Sequence, residues 1–273
     1  MKNLATHINP HLDDICGIWL FKKYFPGWKK ANVRFVNATP NSCSTYGGKP
    51  VDTDADIVHV GVCRGKYDEH KGDLGKSAAV LVWEDLKRKK HLPKDKIEQK
   101  ALKLVIDYVL EGDLGLRYKK EDTAYELGTL VKWIPDSFER VECGSIFLEA
   151  LLNFLESRVK LEQDWVKRKV FKTKWGNGVG LISESNGAER AYNEGYVLIV
   201  QIEPKKHYYS IRADAQSKVD LTEAYEKAVA LEPKSDWYLH HSKRLLICGS
   251  STVANKFNRS KLSLEQMIGL VKK

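Results

Sequence analysis

The sequence predicts an α/β protein: a parallel sheet with helices on its faces, then a helical linker region, then a smaller α+β carboxy-terminal domain. Three observations predict it. Short apolar runs alternate with helical stretches over residues 1 to about 115, a long helical stretch runs from Tyr125 to about Lys169, and a turn-rich segment, Lys174-Trp175-Gly176-Asn177-Gly178, marks a change of composition. The boundaries drawn are 1–120, 121–174 and 175–273.

In order, Asn3 to Ile8 reads as a strand and Leu12 to Tyr24 as a helix with Ile15, Ile18, Trp19 and Leu20 apolar; Val33 to Val36 reads as a second strand. Ile57 to Val62 reads as a buried strand, and Ser77 to Lys89 and Lys94 to Leu110 as helices, the latter with Leu102, Val105, Ile106 and Val109 at helical spacing. Within the linker region, Ser145 to Lys169 carries Phe147, Leu148, Leu151, Leu152, Leu155 and Val159, an amphipathic packing helix. The last domain offers strands at Val179 to Ile182, Tyr196 to Ile202, Tyr208 to Arg212 and Arg244 to Cys248, with helices near Leu221 to Leu231 and Ser263 to Val271. No repeat or low-complexity segment interrupts the chain.

Composition narrows the function. Apolar residues make up 42% of the 273, with seven Trp and eight Phe, enough for sizeable cores. No run approaches 18 apolar residues and the first residues lack the apolar run of a signal peptide, so a soluble, cytoplasmic or otherwise intracellular protein without membrane contact is expected. The five cysteines form no CxxC pair, and most are expected to be small core residues, with a catalytic thiol the alternative. A net charge of +9, gathered in runs such as Lys87-Arg88-Lys89-Lys90, favours a polyanionic partner, nucleic acid or an oligonucleotide, although any one run is a solvated helix face. Homo-oligomerisation is left open.

The chemistry concentrates in the first 70 residues, which hold four of the eight histidines, each beside acids: His7-Ile-Asn-Pro-His11-Leu-Asp13-Asp14, Asp56-Ile-Val-His59 and Tyr67-Asp68-Glu69-His70. Imidazole and carboxylate together suit first-row divalent metals. The clusters fall at or after strand ends, where a parallel α/β sheet gathers its ligands. His7, His11, Asp13, His59, Asp68 and Asp107 are the candidate metal ligands, sufficient for two ions. Asp14 either opens the following helix, where a carboxylate favours the positive dipole end, or takes part in catalysis.

The ordered blocks resemble the DHH phosphoesterase superfamily, and within it most closely the Myg-type (melanocyte proliferating gene) exonuclease family. Thr6-His7, His11-Leu12-Asp13, His59-Val60-Gly61, Tyr67-Asp68-Glu69-His70 and Ser77-Ala78-Ala79-Val80-Leu81-Val82-Trp83 are similar to that family's successive motifs, and Asp107 through Gly112 resembles its later Asp before a Gly turn. The resemblance covers residues 4 to 115. It implies a DHH-type catalytic domain in which the six candidates bind Mn²⁺ or Mg²⁺ with His70 near the scissile phosphate. Two departures stand out: His59 replaces an acid, and Glu69 replaces the middle His of Asp-His-His.

Beyond residue 175, Ser210-Ile211-Arg212 resembles the Ser-x-Arg of the superfamily's substrate-binding domain, while His240-His241-Ser242 and Cys248-Gly249-Ser250-Ser251 resemble its later segments more loosely. Arg212, His240, His241, Gly249 and Ser250 are accordingly the candidate substrate-binding residues, a guanidinium fork and backbone amides that suit phosphate. The function implied is a metal-dependent phosphodiesterase or exonuclease that hydrolyses RNA, DNA or short oligonucleotides by a metal-activated hydroxide.

Two alternatives remain. Pro10-His11-Leu12-Asp13-Asp14 also resembles the Pro-His-x-Asp-Asp motif of zinc-dependent N-acetylglucosaminyl deacetylases, in which His11 and Asp13 would hold Zn²⁺ and Asp14 would serve as base. The altered motifs would equally suit a catalytically degenerate nucleic-acid-binding protein.

Overall fold

The computed structural model describes residues 1–39, 42–72, 75–117, 125–249 and 257–273. These form two compact units, Met1–Glu156 and Ser157–Lys273.

The first unit runs β1 (Asn3–His7), α1 (Leu12–Tyr24), β2 (Asn32–Val36), β3 (Ala38–Thr39), β4 (Ser42–Cys43), β5 (Ile57–His59), α2 (Ala78–Arg88), α3 (Lys96–Asp113), α4 (Leu127–Lys132) and most of α5 (Ser137–Trp165). The mixed α/β architecture is the one the sequence predicts. β2, β1 and β5 form a parallel sheet in that order, with Asn3 opposite both Asn32 and Ile57. Leu4 and Ala5 of the central strand are wholly buried. Such a strand needs cover on both faces, and α1 supplies part of it: every residue from Leu12 to Phe21 is buried. Helix α1 approaches the end of β5 closely at Gly17, where a Cβ would stand 2.6 Å from Val60 Cγ1.

Several boundaries differ from the sequence reading. The strand expected over Ile57 to Val62 ends at His59, because Val60 leaves to bridge Tyr67 and Gly61 turns with a φ of 63°. The expected helix Ser145 to Lys169 begins earlier, at Ser137, where Asp136 Oδ1 accepts from the amides of Phe138 at 2.8 Å and Glu139 at 2.9 Å. It ends at Trp165, and residues 169–173 form a strand instead. The cysteines are not all free core residues either. Cys16 and Cys248 are buried thiols, but Cys43 and Cys63 form a disulfide.

The second unit holds β6 (Lys169–Thr173), β7 (Gly176–Ile182), α6 (Ala188–Asn193), β8 (Leu198–Glu203), β9 (Tyr208–Ala213), α7 (Thr222–Leu231), β10 (Trp237–Leu239), β11 (Leu245–Cys248) and α8 (Leu264–Gly269). The sheet order is β10-β11-β9-β8-β7-β6, antiparallel throughout except for the β7–β8 pair. Leu198, Val200, Ile211 and Leu246 pack on one side with Ala224 and Ala228 of α7 and Met267 of α8. Val179, Leu181 and Ile199 pack with Trp165 and the α6 alanines in a second cluster. Among the described residues, no helix is long and apolar enough to cross a membrane.

One polar cluster of the first unit fixes the loop that carries the site. Buried Asp85 of α2 accepts from Tyr67 Oη at 2.6 Å and from Lys66 Nζ at 2.9 Å, and it also pairs with Arg88 and Lys89. Burial raises its pKa, but these donors outweigh burial and hold the carboxyl well below the usual range. Its stabilising effect is therefore present above the ordinary aspartate pKa and is lost only under strong acid. Asp85→Ala, which leaves the Tyr67 hydroxyl buried without its acceptor, should cost about 1–3 kcal/mol in urea unfolding at neutral pH.

Candidate metal centre

Three chain segments meet at the carboxyl edge of the parallel sheet. His7 is the last residue of β1, and its Nε2 donates to Asp14 Oδ2 at 2.9 Å while Nδ1 donates to Ile8 O at 2.8 Å. Both ring nitrogens face acceptors, which favours the imidazolium. Burial lowers its pKa, but the Asp14 hydrogen bond and charge outweigh burial and push it up to about 9. The chain then turns at Asn9, with a φ of 57°, a conformation that Asn tolerates, and His11 opens α1 by donating its amide to Asp14 Oδ2 at 2.9 Å.

Gly61 explains how Asp14 comes so close to the neighbouring strand end. A Cβ on Gly61 would stand 1.6 Å from Asp14 Oδ1, and the φ of 63° already disfavours a side chain. The carboxylate occupies the volume that any other residue would fill.

The third segment follows β5. Asp68 Oδ2 accepts from Arg64 N at 2.5 Å, and its Oδ1 accepts from His70 N at 3.0 Å and from His70 Nδ1 at 2.8 Å. The hydrogen bond from Nδ1 raises the His70 pKa and turns Nε2 away from Asp68. Glu69, between them, is pushed up to about 7, first by burial and then by the charges of Asp14 and Asp113; its Oε2 is buried without a hydrogen-bond partner among the described residues. Asp13 is buried with Asp14, Asp113 and Glu69 around it, and burial with that repulsion raises its pKa strongly.

Eight side chains thus fall into three groups whose ligand atoms lie within 4.8 Å of one another: His7, His11 and Asp14; Asp13, Glu69 and Asp113; Asp68, Glu69 and His70. A cavity of about 990 Å³ is lined by all eight, together with Arg64 and Lys76. The donor set is carboxylate oxygen with imidazole nitrogen, which suits Mn²⁺ or Mg²⁺, and the orphaned Glu69 oxygen between two other carboxylates is the arrangement a cation would complete.

Two expected ligands stand elsewhere. His59 is buried at the end of β5, outside the cavity lining; its Nε2 accepts from Tyr46 N at 3.2 Å, its Nδ1 is buried without a partner among the described residues, and burial lowers its pKa. Asp107 has a side chain 42% exposed and paired with Lys103, whereas Asp13 is only 4% exposed. The carboxylate that α3 does bring to the cluster is Asp113, six residues further on, which the sequence reading missed along with Glu69. A signal existed: Asp113, though itself exposed, lies in line at helical spacing with the buried Leu102, Ile106 and Val109, and Asp107 does not.

In the second unit, Arg212 near the end of β9 lies opposite Leu245 at the start of β11, and His240 N donates to Leu245 O at 2.8 Å. Arg212, His240 and His241 therefore share one end of the sheet. Arg212 Nε is buried without a partner among the described residues, and His240 Nδ1 pairs with Ser242 Oγ at 2.9 Å. Gly249 does not join them: it follows Cys248, which pairs with Tyr209 at the opposite end, about 10 Å along the strand. Ser250 lies outside the described residues.

No protein-family model matches the chain, and no curated protein matches it. Among solved structures it is similar to RecJ in complex with Mg²⁺ from Thermus thermophilus, at 12% identity, over 98% of this chain and 48% of that one, with a TM-score of 0.30. The chain thus spans about half the length of that protein. At that TM-score the likeness assigns neither residues nor activity.

The packing at Gly61 and the protons held in the cluster each have a measurable consequence. Gly61→Ala should destabilise the metal-free protein by about 1–3 kcal/mol in urea unfolding, and should weaken Mn²⁺ binding because Asp14 must move. The other consequence concerns pH. His7, with a pKa raised from 6.5 to about 9, contributes stability that is complete below pH 6.5 and lost as pH rises through 9. Glu69, with a pKa raised from 4.5 to about 7, costs stability as it ionises across that interval. Both signs agree, so the melting temperature of metal-free protein should fall on alkalinisation. Metal ligands must be unprotonated. Calorimetry should therefore show Mn²⁺ affinity rising and proton release falling between pH 7 and 9.

Proposed function

We propose that the chain is a metal-dependent phosphodiesterase of the DHH superfamily, of the Myg-type exonuclease kind, acting on RNA, DNA or short oligonucleotides. The observation that carries this reading is the convergence of eight metal-type ligands, from β1, the start of α1, the loop after β5 and the end of α3, on one cavity at the carboxyl edge of a parallel sheet. The ordered blocks His7 to Asp14 and Asp68 to His70 supply seven of those eight residues. A neutral sugar would not require so many carboxylates.

Bound Mn²⁺ or Mg²⁺ would supply charge neutralisation at the phosphodiester and a water of lowered pKa. Asp13, Glu69 and Asp113 would hold one ion, and His7, His11 and Asp14 would hold another. Asp68, by accepting from His70 Nδ1, orients that ring and leaves Nε2 able to donate a hydrogen bond to a phosphate oxygen or leaving group. Arg64 and Lys76 on the cavity wall would bind the nucleotide backbone. In the second unit Arg212, with His240 and His241, would bind a further phosphate; the overall charge of +9 favours the same class of substrate.

Purified protein with Mn²⁺ should release nucleotides from single-stranded RNA or DNA. Glu69→Gln and Asp113→Asn should each lower the rate by about 100-fold or more, beyond the usual cost of losing an outer-shell partner, whereas Asp107→Asn should stay within about twofold. Equal loss in Asp107→Asn, or a single Zn²⁺ bound normally after Asp68, Glu69 and Asp113 are replaced, would contradict this reading and favour the deacetylase. Metal-independent oligonucleotide binding without turnover would favour a degenerate binding protein.

A further inference from the structure

The cavity has a wall made by the β3–β4 hairpin, which contributes Ala38, Thr39 and Cys43, while Cys63 and Arg64 line it from the loop after β5. The Cys43–Cys63 disulfide joins the two walls across 20 positions, with Cα atoms 5.3 Å apart. Each strand of the hairpin has only two residues, and hairpins that small are not stable by themselves. Among the described residues its backbone is tied by Ser44 N to Asn37 O at 3.0 Å, followed by Tyr46 N to His59 Nε2 at 3.2 Å.

Across the disulfide, Cys63 and Arg64 are consecutive non-glycine residues with φ values of 65° and 54°. L-residues keep that left-handed conformation only where their surroundings impose it. Three constraints bear on them: the disulfide holds Cys63, Gly65 N donates to Val62 O at 3.5 Å across the pair, and Asp68 Oδ2 accepts from Arg64 N at 2.5 Å. The amide that positions Asp68 is thus one residue from the sulfur bridge. Both cysteines are partly exposed on the cavity wall, unlike buried Cys16 and Cys248. Accessible disulfides are the labile and regulatory ones.

We propose that Cys43–Cys63 is a redox site exchanged by dithiols, which sets the shape of the metal cavity; the inference rests on reading that cavity as the metal centre. A dithiol's thiolate attacks one protein sulfur, and its second thiol resolves the mixed disulfide. The protein S–S bond breaks, one S–S bond forms in the reductant, and two electrons and two protons end on Cys43 and Cys63. Reduction frees the hairpin from the loop. One of the constraints on Cys63 and Arg64 is then gone, which lets the Arg64 amide shift from Asp68.

The test uses full-length protein reduced with a non-chelating phosphine, alongside a Cys43→Ser/Cys63→Ser double variant. Thiol titration in denaturant should give three thiols before reduction and five after. Reduced protein and the double variant should bind Mn²⁺ about tenfold more weakly, as expected when a ligand loses an outer hydrogen bond, and limited proteolysis should cut faster at residues 38–45. Reoxidation should restore wild type and leave the variant unchanged. Five thiols before reduction, or equal Mn²⁺ affinity and proteolysis in both redox states, would overturn the proposal. Asp13→Asn separates the two levels. Loss of Mn²⁺ binding there, with no redox effect in wild type, sinks the redox site alone; oxidised wild type that binds no Mn²⁺ sinks the metal reading, while a redox-dependent proteolysis pattern would still report the hairpin's release.

Discussion

Asp14 sits where the first unit's three site-bearing segments meet. One of its oxygens accepts from the ring of His7 at the end of β1 and from the amide of His11 at the start of α1, each at 2.9 Å. The other fills the space beside Gly61. Move this carboxylate and the strand end, the helix start and the following loop lose their common point. The position also fixes chemistry, because α1 then presents Asp13 toward Glu69 and Asp113.

The result is a concentration of negative charge that folding alone does not favour. Buried Asp13, half-buried Glu69 and exposed Asp113 stand together, and desolvation with the repulsion of neighbouring carboxylates raises the pKa of each. A divalent cation would offset that repulsion. The surrounding scaffold holds the arrangement in place: Asp85 and its donors anchor Tyr67, whose carbonyl accepts from Gly61 N at 2.7 Å. Anchoring behind the ligands of this kind is what keeps a ligand set in geometry. The excess of positive charge lies elsewhere on the chain, so an acidic centre coexists with a net charge of +9.

Much of this arrangement is legible in the sequence. His7, His11, Asp13, Asp14, Asp68 and His70 stand in short blocks at the ends of apolar runs, and a parallel sheet places such blocks together. His59 and Asp107 mislead for different reasons. His59 is close to an acid in sequence, but it lies outside the cavity lining and its Nε2 accepts from the Tyr46 amide, a contact made by a short turn with no periodic signature. Asp107 resembles a ligand by its distance from a Gly turn, whereas the line of buried Leu102, Ile106 and Val109 on α3 leads at helical spacing to Asp113. The Cys43–Cys63 pair depends on a two-residue hairpin, too short for any alternation to show. Cysteine spacing by itself does not fix connectivity. In the second unit, Arg212 and His240 share a sheet end through antiparallel register, and the same register sends Gly249 to the other end.

Which side chains surround a metal is the central claim, and anomalous scattering from a Mn²⁺-soaked crystal reads that directly. Two peaks are expected within the first unit's cavity, one with Asp13, Glu69 and Asp113 as ligands and one with His7, His11 and Asp14, and none at His59 or Asp107. A single peak coordinated without Glu69 or Asp113, or one that includes His59, would contradict it.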